Sequence, residues 1–190
     1  MIHRSHTNLS DKELVDCVLT NDTHAFAILI QNTERIVASI IFKMIENNED
    51  RKDLAQDVYL KVYGKLRSFR FQSRLSTWIA QITFNTCLDH LKKKKVSLTG
   101  DLYGESEIAD SVETLAGINQ TQLKEILHAA IERLSPLYKT LITLYHHEDM
   151  SYDELRQITG LPEGTIKSYL FRARKLLRND LLNTYKKDDL

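Results

Sequence analysis

The stretch from Ser151 to Arg178, SYDELRQITGLPEGTIKSYLFRARKLLR, holds the most specific chemistry in the chain. At helical spacing Ser168, Phe171, Arg172 and Lys175 share one side of a helix. A guanidinium can bond two guanine acceptors, a phenyl ring can rest on a thymine methyl, and a hydroxyl can reach a base or a phosphate. Between Leu161 and Arg178 there are five basic residues and a single acid, Glu163. The other side carries Ile166, Leu170, Ala173 and Leu177, one narrow apolar stripe at i, i+4, i+7 and i+11. The plainer reading is a solvated basic helix with Phe171 tucked against a neighbour. Turn chemistry, amphipathicity and charge agree instead on a helix that reads duplex DNA.

A second cluster lies earlier. Ser68 to Ser76, SFRFQSRLS, places Phe69, Arg70, Phe71 and Arg74 in a loop, and a helix is expected from Thr77 to about Lys95. On that helix Gln81, Asn85 and Lys92 fall near one line with Trp78 at its upper end, and the helix finishes in Lys92-Lys93-Lys94-Lys95. Aromatic rings beside cations suit single-stranded nucleic acid, because bases stack on the rings while the cations track phosphates. Taken singly, Phe69 and Trp78 fit a small core, and a lysine run is favoured at a helix C-terminus by the macrodipole. The cluster as a whole points to strand holding. A third group, Asp53, Gln56, Asp57 and Leu60, stands at i, i+3, i+4 and i+7 on another helix. An exposed leucine needs no explanation by itself; framed by short polar side chains it could equally be a docking patch, and the residues leave both readings open.

The elements that position these groups are helical throughout. Ser151-Tyr152-Asp153-Glu154 is a capping box, Gly160 suits a left-handed helix end, and Pro162 suits the first turn of the next helix. The outcome is helix, tight turn, helix. Ser10-Asp11-Lys12-Glu13 is another capping box, opening a helix with Leu14, Val15, Val18 and Leu19 inward. A longer helix from about Asp22 buries Phe26, Leu29, Ile30, Val37, Ile40, Ile41 and Met44. Asn47 to Asp50 reads as a polar turn and 51–69 as a third helix with Leu54, Val58, Val62 and Leu66 inward. Beyond the middle of the chain, Leu123, Ile126, Leu127, Ala130, Ile131 and Leu134 form a stripe. Ser135-Pro136 then starts a helix carrying Leu137, Leu141, Leu144 and Tyr145.

Composition sets limits. The formal net charge of the 190 residues is zero, which argues against a general polyanion binder. The charge is segregated: residues 1–96 carry 15 basic and 11 acidic side chains, 97–120 carry none and five, and 121–190 carry 11 and 10. The acidic stretch also holds three of the six glycines and has no sustained apolar period, so it reads as a flexible linker between domains at 1–96 and 121–190. Two cysteines, Cys17 and Cys87, without a CxxC argue against a disulfide scaffold or structural zinc. No apolar run approaches membrane-spanning length and the start has no apolar signal core, so a cytoplasmic, soluble protein without membrane insertion is expected. His146-His147-Glu148-Asp149 is the only local cluster of metal-ligand types. Neighbouring helical residues point about 100° apart and the His-x-x-x-His spacing is absent. With no Gly-rich phosphate loop either, no catalytic residue, cofactor, metal or small-molecule substrate is expected.

These motifs carry a resemblance. Residues 53–63, DLAQDVYLKVY, are similar to the DLVQEVFLKVY stretch of extracytoplasmic-function sigma factors, the smallest class of the bacterial primary-sigma family. Ser76-Thr77-Trp78-Ile79-Ala80-Gln81-Ile82, with Asn85 and Leu88-Asp89-His90-Leu91, resembles the family's TWLYRIARN…LDHLR. Leu134-Ser135-Pro136, Gly164 to Ser168 and Phe171 to Arg174 resemble its LP…GTVKSRLFRAR end. The resemblance spans nearly the whole chain in order and implies an all-α fold with two small helical domains, sigma regions 2 and 4. It implies core RNA polymerase and promoter DNA as partners, and admits an anti-sigma factor as a further one. Asp53, Gln56, Asp57 and Leu60 would dock on polymerase. Phe69, Arg70, Arg74, Trp78, Gln81, Asn85 and Lys92 would hold the melted minus-ten element, and Thr165, Lys167, Ser168, Phe171, Arg172 and Lys175 would read the minus-thirty-five element. Phe71 stands where the family commonly has glycine, Leu75 where it has phenylalanine, and Lys167 and Tyr169 where arginine is frequent. The alternative from a different class is a free-standing helix-turn-helix regulator, which has no use for the strand-holding cluster.

Overall fold

A computed structural model describes residues 9–94 and 120–188. The helices run α1 Asp11–Leu19, α2 Thr23–Met44, α3 Asn48–Lys65, α4 Leu75–Lys93, α5 Gln120–Glu132, α6 Pro136–His146, α7 Tyr152–Thr159 and α8 Glu163–Asp188, with a 3-10 turn at Leu66–Ser68. No strand occurs among the described residues, and the fold is all-α as expected. The acidic segment 97–120 lies outside the described residues except for Gln120, which already opens α5.

Local chemistry explains most helix ends. Both expected capping boxes form: Ser10 Oγ accepts from the Glu13 amide while the Glu13 carboxylate accepts from the Ser10 amide, and Ser151 and Glu154 repeat the exchange. The Asp22 carboxylate caps α2 by accepting from the amides of His24 and Ala25. Asn48 to Asp50 are helical rather than a polar turn. The Asn47 side chain accepts from the amides of Glu49 and Asp50, and those two acids face the positive end of the helix dipole. Pro162 lies one residue earlier than expected, at the cap itself, where its carbonyl accepts from the Ile166 amide. Gly160 takes φ +71°, the left-handed end that the sequence calls for.

One cap comes from far away. Helix α4 starts at Leu75, two residues before the expected start, and Arg74 offers it no side-chain cap. Instead the Asp11 carboxylate of α1 accepts from the Leu75 amide at 2.9 Å. A residue 64 positions distant thus supplies the acceptor that the helix start lacks.

Helix α2 is the axis of the fold, touching α1, α3, α4 and α6. It is the one helix among those described that is long and apolar enough to cross a membrane, with a mean hydropathy of 1.4 over its richest window, a property that buried core helices share. Its buried residues include Ala25, Leu29, Ile36, Val37, Ile40, Ile41 and Met44. Phe26, Ile30 and, on α1, Leu19 were expected inward and are only partly covered. The second half packs α6 and α7 against α8, with α5 also on α8. The halves meet along two seams, α2 with α6 and α4 with α7. Helix α6 lies between α2 on one side and α7 and α8 on the other, so every residue from Leu137 to Leu144 is buried.

The two glycine environments predict opposite outcomes. Gly160→Ala forces a side chain into the left-handed region and should cost about 1 kcal/mol. Gly64→Ala, in helical backbone with nothing within 4 Å of the added carbon, should stabilise by roughly 0.4–1 kcal/mol. Urea melts of the two variants measure both, and a neutral Gly160→Ala would refute the account of the turn.

Candidate nucleic-acid and polymerase interfaces

Helix α8 presents the polar face that its spacing implies. Ile166, Leu170, Ala173 and Leu177 are buried, anchoring the helix on its own half. Lys167, Phe171, Arg172 and Lys175 are exposed, and Thr165 and Ser168 partly so. Phe171 is 67% exposed, which excludes the reading in which it tucks against a neighbour. A phenyl ring left in water beside an exposed guanidinium suits a groove that covers both. Lys167 bonds Glu163 at 2.6 Å and stands 5.2 Å from the Tyr152 ring. That hydrogen bond and the carboxylate charge raise the ammonium's pKa above its ordinary value.

At the edge of this face Tyr145 and Tyr152 lie 5.0 Å apart, with Arg174 over Tyr145 at 5.6 Å. The Arg174 Nε donates to His146 Nε2 at 3.3 Å. Burial and then the Arg174 charge hold the His146 pKa below its usual value. Glu148 turns to Arg35, so the run from His146 to Asp149 does not converge on one point. Among the described residues no three His, Cys, Asp or Glu side chains form a group that could hold a metal ion.

The earlier cluster divides into core and surface. Phe69 is buried, with Phe71 at 4.7 Å and Trp78 at 5.1 Å between ring centroids. Trp78 and Gln81 are partly exposed, and Arg70, Arg74, Asn85 and Lys92 are exposed. Phe69 therefore props the two outer rings, and Phe71 is the ring more open to a base. Phe71 also has φ +57°, a left-handed conformation that glycine adopts without strain. This accounts for the glycine common at that place in the resembled pattern. Nothing in the residue type Phe announces such a turn.

On α3, Asp53, Gln56, Asp57 and Leu60 are all exposed on one side, with Leu54, Val58 and Val62 buried on the other. Leu60 is 71% exposed. Beside it opens a cavity of about 440 Å³ whose walls include Phe26, Gln56, Tyr59, Leu60 and Tyr63. Phe26 meets Tyr63 edge-on at 5.2 Å, and the Tyr63 hydroxyl bonds Asn21 at 3.1 Å. Sequence reasoning missed Tyr63 and placed Phe26 inside. The signal for Tyr63 was its position three residues after Leu60 on the same helix face.

Comparison with known proteins agrees with this layout. A Sigma-70 region 2 model matches residues 29–96, which hold most of α2, α3 and α4, and a Sigma-70 region 4 model matches 124–177, from α5 into α8. The ECF RNA polymerase sigma-E factor of Escherichia coli (strain K12) is 31% identical over 90% of this chain and 94% of its own length. The chain belongs to the extracytoplasmic-function sigma factors. It is also similar to the sigma-E factor of Haemophilus influenzae, 29% identical over 91% of this chain and 96% of that protein. Identity with the sigma-H factor of Pseudomonas aeruginosa is 26%, over 90% and 93%. The fold is shared with CnrH, solved with the cytosolic domain of CnrY, at a TM-score of 0.63, 18% identity and coverage of 92% of this chain and 97% of that one. It is shared too with RpoE of Bartonella quintana, solved with the anti-sigma factor NepR, at a TM-score of 0.60, 24% identity and coverage of 82% and 96%.

Charge placement in this sigma factor couples the helix-turn-helix to the rest. Burial alone would raise the Glu154 carboxyl. Hydrogen bonds from the Ser151 amide and hydroxyl, the Arg74 charge and the Thr77 hydroxyl outweigh it and hold the pKa below 4.5. Glu132 behaves alike: burial is overcome by Lys43 and Lys139, and its pKa is lowered. The Cys87 thiol is pushed up to about 12 by burial and is inert at neutral pH.

Depressed carboxyls stabilise the native state fully above their unfolded value, and that contribution is lost as pH falls through the lower folded values. Stability should therefore drop as pH is lowered below 4.5, the ordinary value of both Glu132 and Glu154. Glu154→Gln should cost about 0.5–1 kcal/mol at neutral pH, since it weakens a capping box, and should flatten the acid limb. Urea denaturation at a series of pH values measures both; an unchanged acid limb in the variant would remove Glu154 from the account.

Proposed function

We propose that this chain binds core RNA polymerase through Asp53, Gln56, Asp57 and Leu60 and directs initiation at promoters that it reads in two places. Thr165, Lys167, Ser168, Phe171, Arg172 and Lys175 on α8 read the minus-thirty-five element as duplex. Arg70 and Arg74 of the loop, with Trp78, Gln81, Asn85 and Lys92 of α4, hold the minus-ten element as a melted strand, Phe69 supporting the rings from beneath. The observation that carries this reading is the pair of outward faces on separate helices. A ring and a guanidinium stand exposed together on α8, and aromatic and basic groups line the loop and one side of α4. The first suits a major groove and the second suits unpaired bases.

The chain supplies binding energy and no bond chemistry. Zero net charge means that few counterions are released when the free protein meets DNA, so its own affinity is weak. Docking on polymerase fixes the spacing of the two readers, and the second DNA contact becomes effectively intramolecular. Strand separation then follows from unpaired bases binding the loop and α4 more tightly than paired ones do. The chain acts in the cytoplasm, where polymerase and chromosome meet. As in the complex of RpoE with the anti-sigma factor NepR, an anti-sigma protein is a fitting further partner.

Purified protein added to core polymerase should produce promoter-specific initiation that core polymerase alone does not. Arg172→Ala should cost about 1–3 kcal/mol and relax specificity at one upstream position. Equal losses on all promoters would instead make Arg172 a phosphate contact. Leu60→Asp should abolish co-purification with core polymerase and leave helical content, read by circular dichroism, unchanged.

A further inference from the structure

Among the described residues three other than glycine take a left-handed φ: Asn21 at +64°, Phe71 at +57° and Asp149 at +50°. Asparagine and aspartate reach that region readily, because their short polar side chains can bond locally. Phenylalanine has no such help, and a bulky residue held there is an outlier that its surroundings must impose. Burial of the ring would explain it, yet Phe71 is 44% exposed. The chain therefore holds an aromatic ring in water on a backbone conformation that disfavours it.

The neighbours of that ring say what it could meet. Phe71 packs on Phe69 with the ring planes 52° apart, and Trp78 packs on the same buried ring. Phe71 is thus backed on one side and open elsewhere. From Lys65 to Arg74 the chain carries four cations, Lys65, Arg67, Arg70 and Arg74, and no acid, and all four are exposed. The carboxylate of Glu154 approaches Arg74 to 3.8 Å from another helix but leaves its side chain 81% exposed. An open ring among cations suits a base carried on a polyanionic strand, whose phosphates the cations track while the base lies on the ring.

We infer that Phe71 is a stacking platform for one unpaired base of the melted strand, so that this loop holds that base by its face rather than by its edge. The inference rests on the proposed strand-holding role of the loop and adds to it a residue and a mode of recognition. Every base has a face to stack, whereas hydrogen bonds to an edge distinguish one base from another. The position resting on Phe71 is therefore bound firmly and read loosely. Glycine at 71 would keep the left-handed backbone without strain and remove only the ring.

That makes Phe71→Gly the variant to test, in the full chain assembled with core polymerase on a promoter template whose minus-ten stretch is opened by mismatches. Phe71→Gly should weaken binding about fivefold or more, and Phe71→Tyr, which keeps a ring, should bind like the wild type. Abasic sites placed one at a time along the opened strand locate the partner base. At one position the wild type should lose about fivefold or more while Phe71→Gly loses nothing further; at positions held by other residues both proteins lose alike. Exchanging the base there among all four should change wild-type binding by about threefold at most. Circular dichroism identifies a Phe71→Gly chain that has lost helix, in which case Phe71→Asn, also at ease in the left-handed region, takes its place. Unweakened binding by the ringless variant, an equal loss at every abasic position, or a tenfold preference for one base at the located position would each overturn the inference. If the wild type initiates specifically and only these results fail, the proposed function stands. A wild type that neither initiates nor holds the opened template overturns both.

Discussion

The need to cover one apolar helix governs this structure. Thr23–Met44 carries buried side chains along its whole length, from Ala25 to Met44, and so requires cover on more than one side. Helices α1, α3 and α4 supply most of it, and α6 of the second half supplies the rest. Burial of that surface is the dominant favourable term available to the fold. Each candidate face is the outer side of a helix that helps to bury something: α3 presents Leu60 because Leu54, Val58 and Val62 face inward. Helix α4 presents Asn85 and Lys92 because Ile79, Ile82, Phe84 and Leu91 face inward.

The same logic produces the domain relationship. The second half could be imagined as an independent bundle around Leu141, Leu155, Ile158, Ile166 and Leu170, all of them fully buried. Yet α6 is covered on the side facing α2 as well, and Lys139 is buried in the same helix beside a carboxylate that also serves Lys43. A buried ammonium is tolerable only when paired, and Glu132 provides that pairing. The seams are therefore mixed in character, part apolar packing and part ion pair, and mixed seams of this kind let domains move relative to one another.

The proposed function needs two readers held at a set separation, and the two candidate faces are positioned in different ways while presenting side chains to solvent. The proposed duplex reader sits on a helix whose buried stripe has no gap from Ile166 to Leu177. The proposed strand reader combines a helix with a short loop that contains one left-handed residue, Phe71, packed on a buried ring, Phe69. The first is positioned by periodic packing and the second by a single left-handed turn.

Much of this was legible in the chain. Capping boxes at Ser10 and Ser151, the glycine end at Gly160, and the stripes of α2, α3 and α8 are local patterns, because capping and periodicity act over three or four residues. The exposed faces of Leu60, Phe171 and Arg172 follow from those stripes by simple opposition. What local pattern could not carry was every feature made by residues far apart: the Asp11 carboxylate capping α4 at Leu75, the groove formed when Phe26 meets Tyr63, and the pairing of Arg35, Lys43 and Arg74 with Glu148, Glu132 and Glu154. The residue types alone show that carboxylates and cations are present in both halves. Which of them meet depends on how α6 and α7 lie on α2 and α4, and that is settled only when apolar surfaces distant in the chain find each other.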